Sequence, residues 1–363
     1  MAERNFKQQK SMQHKCPNCG AALTYDPESG NLRCNHCDGS VTFQKSNDVK
    51  ERDFEELVTF KTWKDSDVAT YRCSNCGAVQ VVPRTSLSTN CPYCSAPVVI
   101  EDETSSLVKP DSIIPFELSA KQAAAQLTSW RKRKLFAPNK FRKHLRADSV
   151  KGVFLPVWTF DADTSTKYSG TLGYTRTRTV RRNGKTYTET YTEWKHVSGV
   201  IPASFDDILV RANENIPQTY FNRLQPYPQS KYMVFDDEYL AGYIADHYSL
   251  EPLDAFAQAK AQMEADIRQR IVNAHHADME GNLDLEVQFL SKSFKYLFLP
   301  VYVASTRYNK KTYNQYVSGV YFNSETKRSK VCGKAPVSVW KVLLTVLAGL
   351  GALVGLFLLA ASC

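Results

Sequence analysis

Cysteine pairs are the feature that most constrains how this chain can fold. Eight of its ten cysteines lie before residue 95, in four Cys-x2-Cys pairs. The first set is Cys16, Cys19, Cys34 and Cys37, and the second set is Cys73, Cys76, Cys91 and Cys94. Both sets read C-x2-C-x14-C-x2-C, and every cysteine of the second set lies 57 residues after its counterpart. The spacing therefore predicts two similar modules that arose by internal duplication.

Each set of cysteines suits a structural zinc site. Two residues between two thiolates form a tight knuckle, and a hairpin brings a second knuckle round to complete a tetrahedron. Gly20 and Gly77 follow the first knuckle of each set and suit the unusual backbone angle of such a turn. Four thiolates leave no open position for a substrate water. We therefore predict two zinc ions, one in a zinc ribbon at residues 14–40 and one in a zinc ribbon at residues 70–100.

A second constraint is an uncharged apolar run of twenty residues, Val342 to Ala361. A helix of this length spans roughly 30 Å, the thickness of the hydrocarbon core of a bilayer. Positive residues precede the run and none follows it: Lys327, Arg328, Lys330, Lys334 and Lys341. By the positive-inside rule we expect a single-pass transmembrane helix at residues 342–361 in the cell membrane, with the N-terminal bulk of the chain in the cytoplasm.

A cytoplasmic location bears on the cysteines and on the tail. The cytoplasm is reducing, which favours metal ligation over disulfides. Of the two remaining cysteines, Cys332 and Cys363, either suits acylation near a membrane, although an unmodified thiol is the commoner outcome. Gly351 and Gly355 have a small-residue spacing that permits close packing of membrane helices, so self-association stays open.

The middle of the chain contains a second pair of similar parts. The string Phe154 to Trp158 reads FLPVW, and the string Phe298 to Tyr302 reads FLPVY. Each string follows a helical pattern, Ala120 to Leu135 in the first case and Pro252 to His275 in the second. Each is followed by the tetrapeptide Val-Ser-Gly-Val. We therefore predict an α+β domain at residues 105–330 that contains a duplicated helix-plus-strands module, with a polar boundary at residues 101–106.

The first copy is about 24 residues longer than the second, and the extra residues have the pattern of a β-hairpin. Asn183-Gly184 is typical of a two-residue hairpin turn. Pairing outward from this turn sets Arg178 opposite Glu189 and Val180 opposite Tyr187, and it sets threonines opposite threonines. Neither face is apolar enough to cover a core. We therefore predict a projecting hairpin, which is either a docking arm or a solvated hairpin without a partner.

A basic segment follows the first predicted helix. Its positive residues are Arg131, Lys132, Arg133, Lys134, Lys140, Arg142, Lys143 and Arg146. Trp130, Phe136 and Phe141 are interleaved with them, and the whole chain has a formal net charge of +9. This mixture predicts binding to an anionic surface, either phospholipid headgroups or a phosphate backbone. The alternative is a solvated helix end, where positive residues also complement the helix dipole.

Catalytic patterns are weak. Gly184-Lys185-Thr186 resembles the end of a phosphate-binding loop, but Thr179 stands where that motif needs glycine. The acidic groups around Asp161 and Asp237 are typical of solvated strand ends. No nucleophile is accompanied by a convincing base, so we predict that the protein is not an enzyme.

The paired knuckles, the Phe-Leu-Pro-Val-Trp string and the C-terminal anchor together resemble the YdjG-like zinc-ribbon membrane proteins of Gram-positive bacteria. The resemblance implies that the chain works beside SPFH-domain proteins and the phage-shock protein PspA, an ESCRT-III-like coat, at stressed membrane. Similar chains are often labelled primosomal helicase-like, but the phosphate-binding loop that such an activity needs is missing from this sequence. We therefore predict a non-enzymatic, membrane-anchored adaptor that docks partner proteins. The alternative is a membrane-tethered, replication-associated protein that binds nucleic acid.

Overall fold

The computed structural model describes residues 15–58, 68–83, 88–99, 109–347 and 350–351, and within them the fold is mixed α+β. In chain order the strands are β1 Leu23–Asp26, β2 Asn31–Cys34, β3 Ser40–Val41, β4 Arg52–Asp53, β5 Val68–Arg72, β6 Val79–Pro83, β7 Ser88–Asn90, β8 Pro97–Val99, β9 Ser112–Ile113, β10 Lys151–Arg182, β11 Lys185–Arg211, β12 Met233–Val234, β13 Ile244–Asp246, β14 Met279–Tyr308, β15 Lys311–Ser318 and β16 Val331–Gly333. The helices are α1 Ala120–Lys132, α2 Gln218–Leu224 and α3 Pro252–Ala274, and residues 339–347 and 350–351 are also helical.

Two long antiparallel strands, β10 and β14, form the centre of the main sheet. Leu155 lies opposite Leu299, so the two similar strings pair with each other about a local two-fold axis. β13 adds in parallel to β10 at Val153, and β9 adds in parallel to β14 at Leu297, the position equivalent to Val153. The neighbours of the two central strands are therefore arranged with the same local symmetry.

Both faces of the central strands are covered. On one face, Phe154 and Phe298 are at most 1% exposed, and their ring centroids lie 6.2 Å apart. Residues of α1, α3 and the first ribbon complete the core on this face. On the other face, Leu155 and Leu299 pack in a core that includes residues of α2 and the second ribbon. Burial on both faces explains why the strings are apolar without alternation.

The two long helices lie close to their predicted positions. α1 begins after Ser119, whose backbone N–H donates to Gln122 Oε1 at 2.8 Å in the predicted capping box. It ends at Lys132, three residues before the predicted end. α3 buries a stripe at four-residue spacing: Ala255, Ala259, Met263, Ile267 and Ile271. This stripe packs α3 against β10, β11 and β14.

The predicted hairpin is present with the predicted register. Asn183 and Gly184 have φ values of 51° and 76°, as a type I′ turn requires, and Arg178 lies opposite Glu189. β10 pairs with β14 only as far as Gly173, so residues 174–193 form a two-stranded projection that we call the arm. Most of its side chains are exposed. The prediction of a projecting hairpin is therefore confirmed.

The two ribbons meet the main sheet in different ways. β1, β2 and β3 of the first ribbon form a separate sheet, which is joined to the body where the N–H of Tyr25 donates to the carbonyl oxygen of Ala241 at 2.8 Å. β5 and β6 of the second ribbon extend the main sheet, because β6 pairs with β13. The polar boundary that we predicted at residues 101–106 lies outside the described residues.

Within the described part of the chain, no helix is both long enough and apolar enough to cross a membrane. Of the predicted anchor at residues 342–361, the structure describes residues 342–347, 350 and 351, all helical. The remainder of the predicted anchor lies outside the described residues.

Candidate metal centres and the adjoining basic surface

The first cysteine set forms a compact cluster of sulfur atoms. Cys16 Sγ lies 3.5 Å from Cys37 Sγ, and Cys19 Sγ lies 3.5 Å from Cys34 Sγ. All four sulfur atoms lie within 4.8 Å of one another. A tetrahedral zinc ion with bonds of about 2.3 Å would separate its sulfur ligands by about 3.8 Å, whereas a disulfide would hold them about 2.05 Å apart. The cluster is therefore positioned to bind a metal ion.

The second set repeats this geometry. Cys73 Sγ lies 3.6 Å from Cys94 Sγ, and Cys76 Sγ lies 3.5 Å from Cys91 Sγ. These four sulfur atoms also lie within 4.8 Å of one another. The described residues thus contain two four-cysteine clusters at the predicted positions, and their donor set is consistent with two zinc sites.

All four knuckles share one backbone turn. The residue four positions after the first cysteine of each knuckle has a positive φ: Gly20 at 73°, Asp38 at 55°, Gly77 at 77° and Ser95 at 59°. In each case its N–H donates to the carbonyl oxygen of that first cysteine at 2.8–3.0 Å. The glycines were predicted to adopt this geometry. Asp38 and Ser95 were missed, and only their equivalent position in the cysteine spacing could have identified them.

Backbone N–H groups lower the pKa of two thiols in the first cluster. The N–H groups of Cys37 and His36 donate to Cys34 Sγ and lower the pKa of this thiol to about 6. The N–H groups of Asn18 and Cys19 lower the pKa of Cys16 in the same way. These bonds favour the thiolate, which is the form that binds metal. In the second cluster, burial raises the pKa of Cys91.

A buried carboxylate holds the second ribbon against the body. Asp246 in β13 has no exposed surface, and it accepts a hydrogen bond from the Tyr93 hydroxyl. It also accepts from Gln80 Nε2 at 3.3 Å, Asn213 Nδ2 at 3.4 Å and Asn215 Nδ2 at 2.9 Å. Burial raises the pKa of Asp246 to about 6. Sequence reasoning missed this network because Tyr93 and Asp246 are 153 residues apart.

The second ribbon makes a further polar contact and borders a cleft. Ser305 Oγ lies 2.8 Å from the carbonyl oxygens of both Pro92 and Tyr93. Nearby, a cleft of about 630 Å³ separates part of the ribbon from the body. Its walls include Arg72, Cys94, Asn215, His247 and Asn314. The ribbon is therefore fixed to the body by contacts on several of its residues.

Arg131 was wrongly assigned to the anion-binding surface. It is only 4% exposed, and its Nη2 donates to Thr306 Oγ1 at 2.6 Å and to Gln315 Oε1. Its guanidinium lies 4.6 Å from the ring centroid of Phe141. Burial lowers the pKa of Arg131 to about 10. Arg131 therefore joins α1 to β14 and β15 as a core residue.

We expect Arg131→Ala to lower the free energy of unfolding by about 2–4 kcal/mol, because it removes buried packing and leaves buried acceptors unpaired. Arg133→Ala, in the same segment but exposed, should change it by no more than about 0.5 kcal/mol. Urea denaturation of both variants in detergent solution measures the difference. Equal losses in the two variants would contradict the assignment of Arg131 to the core.

The other positive residues of the segment divide into two groups. Arg142 is half-buried and its Nη2 donates to the carbonyl oxygen of Lys132 at 2.8 Å, while Arg146 forms a 3.0 Å ion pair with Asp148. The remaining five are exposed and make no ion pair among the described residues, and we call them the basic collar: Lys132, Arg133, Lys134, Lys140 and Lys143. Of the eight residues predicted to bind an anionic surface, these five are both exposed and free of an acidic partner in the described part of the chain.

The basic collar adjoins the start of the C-terminal helix. The N–H of Ser338 donates to the carbonyl oxygen of Phe136 at 2.8 Å. Lys341 Nζ donates to the carbonyl oxygen of Ala137 and to Asn139 Oδ1, both at 2.8 Å. Trp340 beside them is 77% exposed. The chain therefore enters its apolar C-terminal run directly beside the collar.

Burial bears on two further expectations, one for Asp161 and one for Cys332. Asp161 was expected to be solvated, but its side chain is 13% exposed and lies 3.9 Å from Lys295 Nζ. The same ammonium lies 2.9 Å from Asp207 and 3.0 Å from Glu51, so one lysine offsets part of the charge of this acidic cluster. Cys332 is 4% exposed, and burial raises its pKa to about 12, which agrees with an unmodified thiol.

Comparison with known proteins shows a similarity over nearly the whole chain. No protein-family model and no solved structure matches the chain. The uncharacterized protein YdjG of Bacillus subtilis (strain 168) is 27% identical to it over 330 residues, which cover 91% of each protein. Across nearly its whole length, the chain is therefore similar to YdjG, the protein that gives its name to the group that the sequence resembles.

Proposed function

We propose that the chain is a non-enzymatic, membrane-anchored zinc-ribbon adaptor that docks cytoplasmic partner proteins at the cell membrane. The observation that carries this proposal is the position of the basic collar beside the start of the C-terminal helix. A collar of five positive charges at the point where an apolar run begins is suited to the headgroups of an anionic leaflet. Each such charge near the surface contributes about 1 kcal/mol to binding.

The exposed apolar surface of the C-terminal helix supports the anchor. Val342, Leu343, Leu344, Val346 and Leu347 are 37–65% exposed. Such a continuous apolar surface is unfavourable in water and favourable in lipid. Leu135 and Trp340, which are 68% and 77% exposed, lie near the start of this helix, since Lys341 Nζ donates to the carbonyl oxygen of Leu135 at 3.4 Å. Both residue types suit the membrane interface. We infer that residues 342–361 span the membrane once, with the ribbons on the cytoplasmic side.

The two metal centres act as structural sites in this proposal. We infer that zinc is the metal, because four thiolates at tetrahedral spacing are its usual structural ligands. A closed shell of four thiolates leaves no position for a substrate, so the ribbons contribute by presenting protein surfaces. Binding of the metal would contribute about 10–16 kcal/mol to the folding of each site.

The identity of the partners comes from the resemblance alone. YdjG-like proteins are expected to work beside SPFH-domain and PspA-like proteins in a membrane-stress response, and we propose the same partner class here. Nucleic acid is the second candidate. Two of the arm's arginines, Arg176 and Arg178, are already paired with Glu193 and Glu189 at 3.0 and 3.1 Å, which reduces the charge available for phosphate.

We expect the chain without residues 342–363 to float with vesicles that contain phosphatidylglycerol and to stay behind with vesicles of phosphatidylcholine alone. Replacing the five collar residues by glutamine should lower the bound fraction at least tenfold, since it removes the charges that face the lipid. The matched control removes five exposed charges outside both the collar and the arm: Lys50, Lys167, Lys260, Lys310 and Lys311. Zinc content, measured on every protein, reports whether each remains folded.

Two outcomes would count against this function. Equal flotation with neutral vesicles, or equal loss in the control variant, would remove the specific role of the collar. Binding to single-stranded or duplex DNA at physiological salt, with an affinity that falls steeply as salt rises, would favour the nucleic-acid function instead. A cross-linked pull-down from native membranes with the full chain would then identify the partner directly.

A further inference from the structure

The outer edge of β11 is open along the arm. β11 pairs with β10 on one side, and within the described ranges no strand pairs with its other side. In a hairpin with a two-residue turn, the residues that flank the turn bond to each other, and the bonding direction alternates along each strand. The N–H and C=O groups of even-numbered β11 residues therefore face outward: Thr186, Thr188, Thr190, Thr192 and Trp194.

This edge has few of the features that usually protect an open strand, since Lys185 and Lys195 are its two lysines in the arm region. Natural edges carry prolines, bulges, several lysines or a covering element. β11 has no proline between Lys185 and Ile201, and its pairing with β10 has no bulge in the arm. The residues whose backbone groups face outward are threonines and Trp194, and the neighbouring rings are accessible, with Tyr191 44% exposed and Trp194 53% exposed. Such an edge is suited to receive another strand.

The charge pattern of the strand fits a second copy of itself. Antiparallel pairing centred on Thr192 sets outward-facing residues opposite each other and places Glu189 of each copy opposite Lys195 of the other. Centring on Thr190 would instead place Lys195 opposite Lys185, which repel. Centring on Trp194 would also set Glu193 opposite Lys195, but it places the two-fold axis at a residue outside the arm. The register at Thr192 keeps the axis within the arm and adds two opposite-charge contacts between copies to the ion pairs that Glu189 makes with Arg178 and Arg182 in its own chain.

We propose that the arm is a self-association surface, through which two copies of the chain pair antiparallel along β11 about a two-fold axis at Thr192. The product is a continuous four-stranded antiparallel sheet with the β10 strand of one copy at each outer edge. This contact does not depend on the membrane anchor or on the metal centres. The dimer would carry two copies of each zinc ribbon.

The arm offers a matched pair of proline substitutions as a test. Thr177 on β10 lies directly opposite Thr190 on β11, and the N–H of each faces away from the hairpin. Proline at either site removes one outward donor and leaves the bonds between β10 and β11 intact. In detergent solution, Thr190→Pro should raise the dimer dissociation constant at least tenfold, whereas Thr177→Pro should leave it unchanged. Analytical ultracentrifugation of the full chain measures both.

A cysteine pair tests the register independently. In a chain with Cys363→Ser, Thr192→Cys should form a disulfide-linked dimer on mild oxidation, because an opposed bonded pair has a Cα separation of about 5.5 Å. Thr175→Cys, opposite Thr192 but on the far edge, should not. A chain that is monomeric at all concentrations, proline variants with equal effects, or equal cross-linking at the two cysteines would each overturn the proposal.

Discussion

Replacing Cys91 by serine should lower the zinc content from two ions per chain to one. Cys91 is 1% exposed and lies in the core between the second ribbon and the sheet. Its loss leaves three thiolates and a fourth position open to water, which weakens metal binding and forfeits much of the roughly 10–16 kcal/mol that the metal contributes. The second ribbon should then open. Metal analysis of the purified chain gives the stoichiometry, and limited proteolysis reports cleavage between residues 70 and 100.

The control for this substitution is Cys332→Ser. Cys332 is also buried, so it tests the cost of placing a serine hydroxyl in a core without touching a metal cluster. Zinc content should remain at two ions in this variant. Retention of two ions by Cys91→Ser would contradict the assignment of the second cluster.

Asp246→Ala should lower the free energy of unfolding by about 3 kcal/mol without loss of zinc. The change removes the shared acceptor of Tyr93, Asn213 and Asn215, and an unsatisfied buried donor costs about 1–3 kcal/mol. Denaturation by urea, with zinc content measured in parallel, separates this effect from metal loss. Asp163→Ala is the control, because Asp163 is exposed and accepts from Ser204 and Ser291 at the surface. Equal effects would show that the buried network adds nothing.

The titration of Asp246 gives this prediction a pH signature. Its pKa is about 6 in the folded chain and near 4 for an aspartate in an unfolded chain. Between these values the folded state holds a proton that the unfolded state releases, so this group's contribution to stability falls as the pH rises from about 4 to about 6. Asp246→Asn does not titrate. The stability difference between the two proteins should therefore change across this window, and a constant difference would contradict the buried titration.

Features that depend on neighbouring residues could be predicted from the sequence. The cysteine spacing determines which thiolates share a cluster, because each knuckle is a local turn and the hairpin between knuckles is short. Asn183-Gly184 determines the register of the arm for the same reason, since a two-residue turn leaves one way to pair the strands. The helix start at Ser119 follows from its capping box with Gln122.

Features that depend on distant residues could not be predicted. Arg131 is bonded to Gln315, 184 residues away, and nothing in a basic segment distinguishes the one arginine that turns inward. The donors around Asp246 come from the second ribbon and from the loop after β11, and a lone aspartate in a short strand has no pattern that marks it as buried. Side-chain direction at such positions is decided by packing between elements.

The pairing of Leu155 with Leu299 has a consequence for the origin of the chain. An antiparallel pair in which equivalent residues face each other is the contact that a two-fold homodimer of a single module would make. Fusion of two such modules would have turned an association between chains into a contact within one chain. Each half would then have been able to diverge independently, and such divergence accounts for an arm that occurs in one half and not in the other.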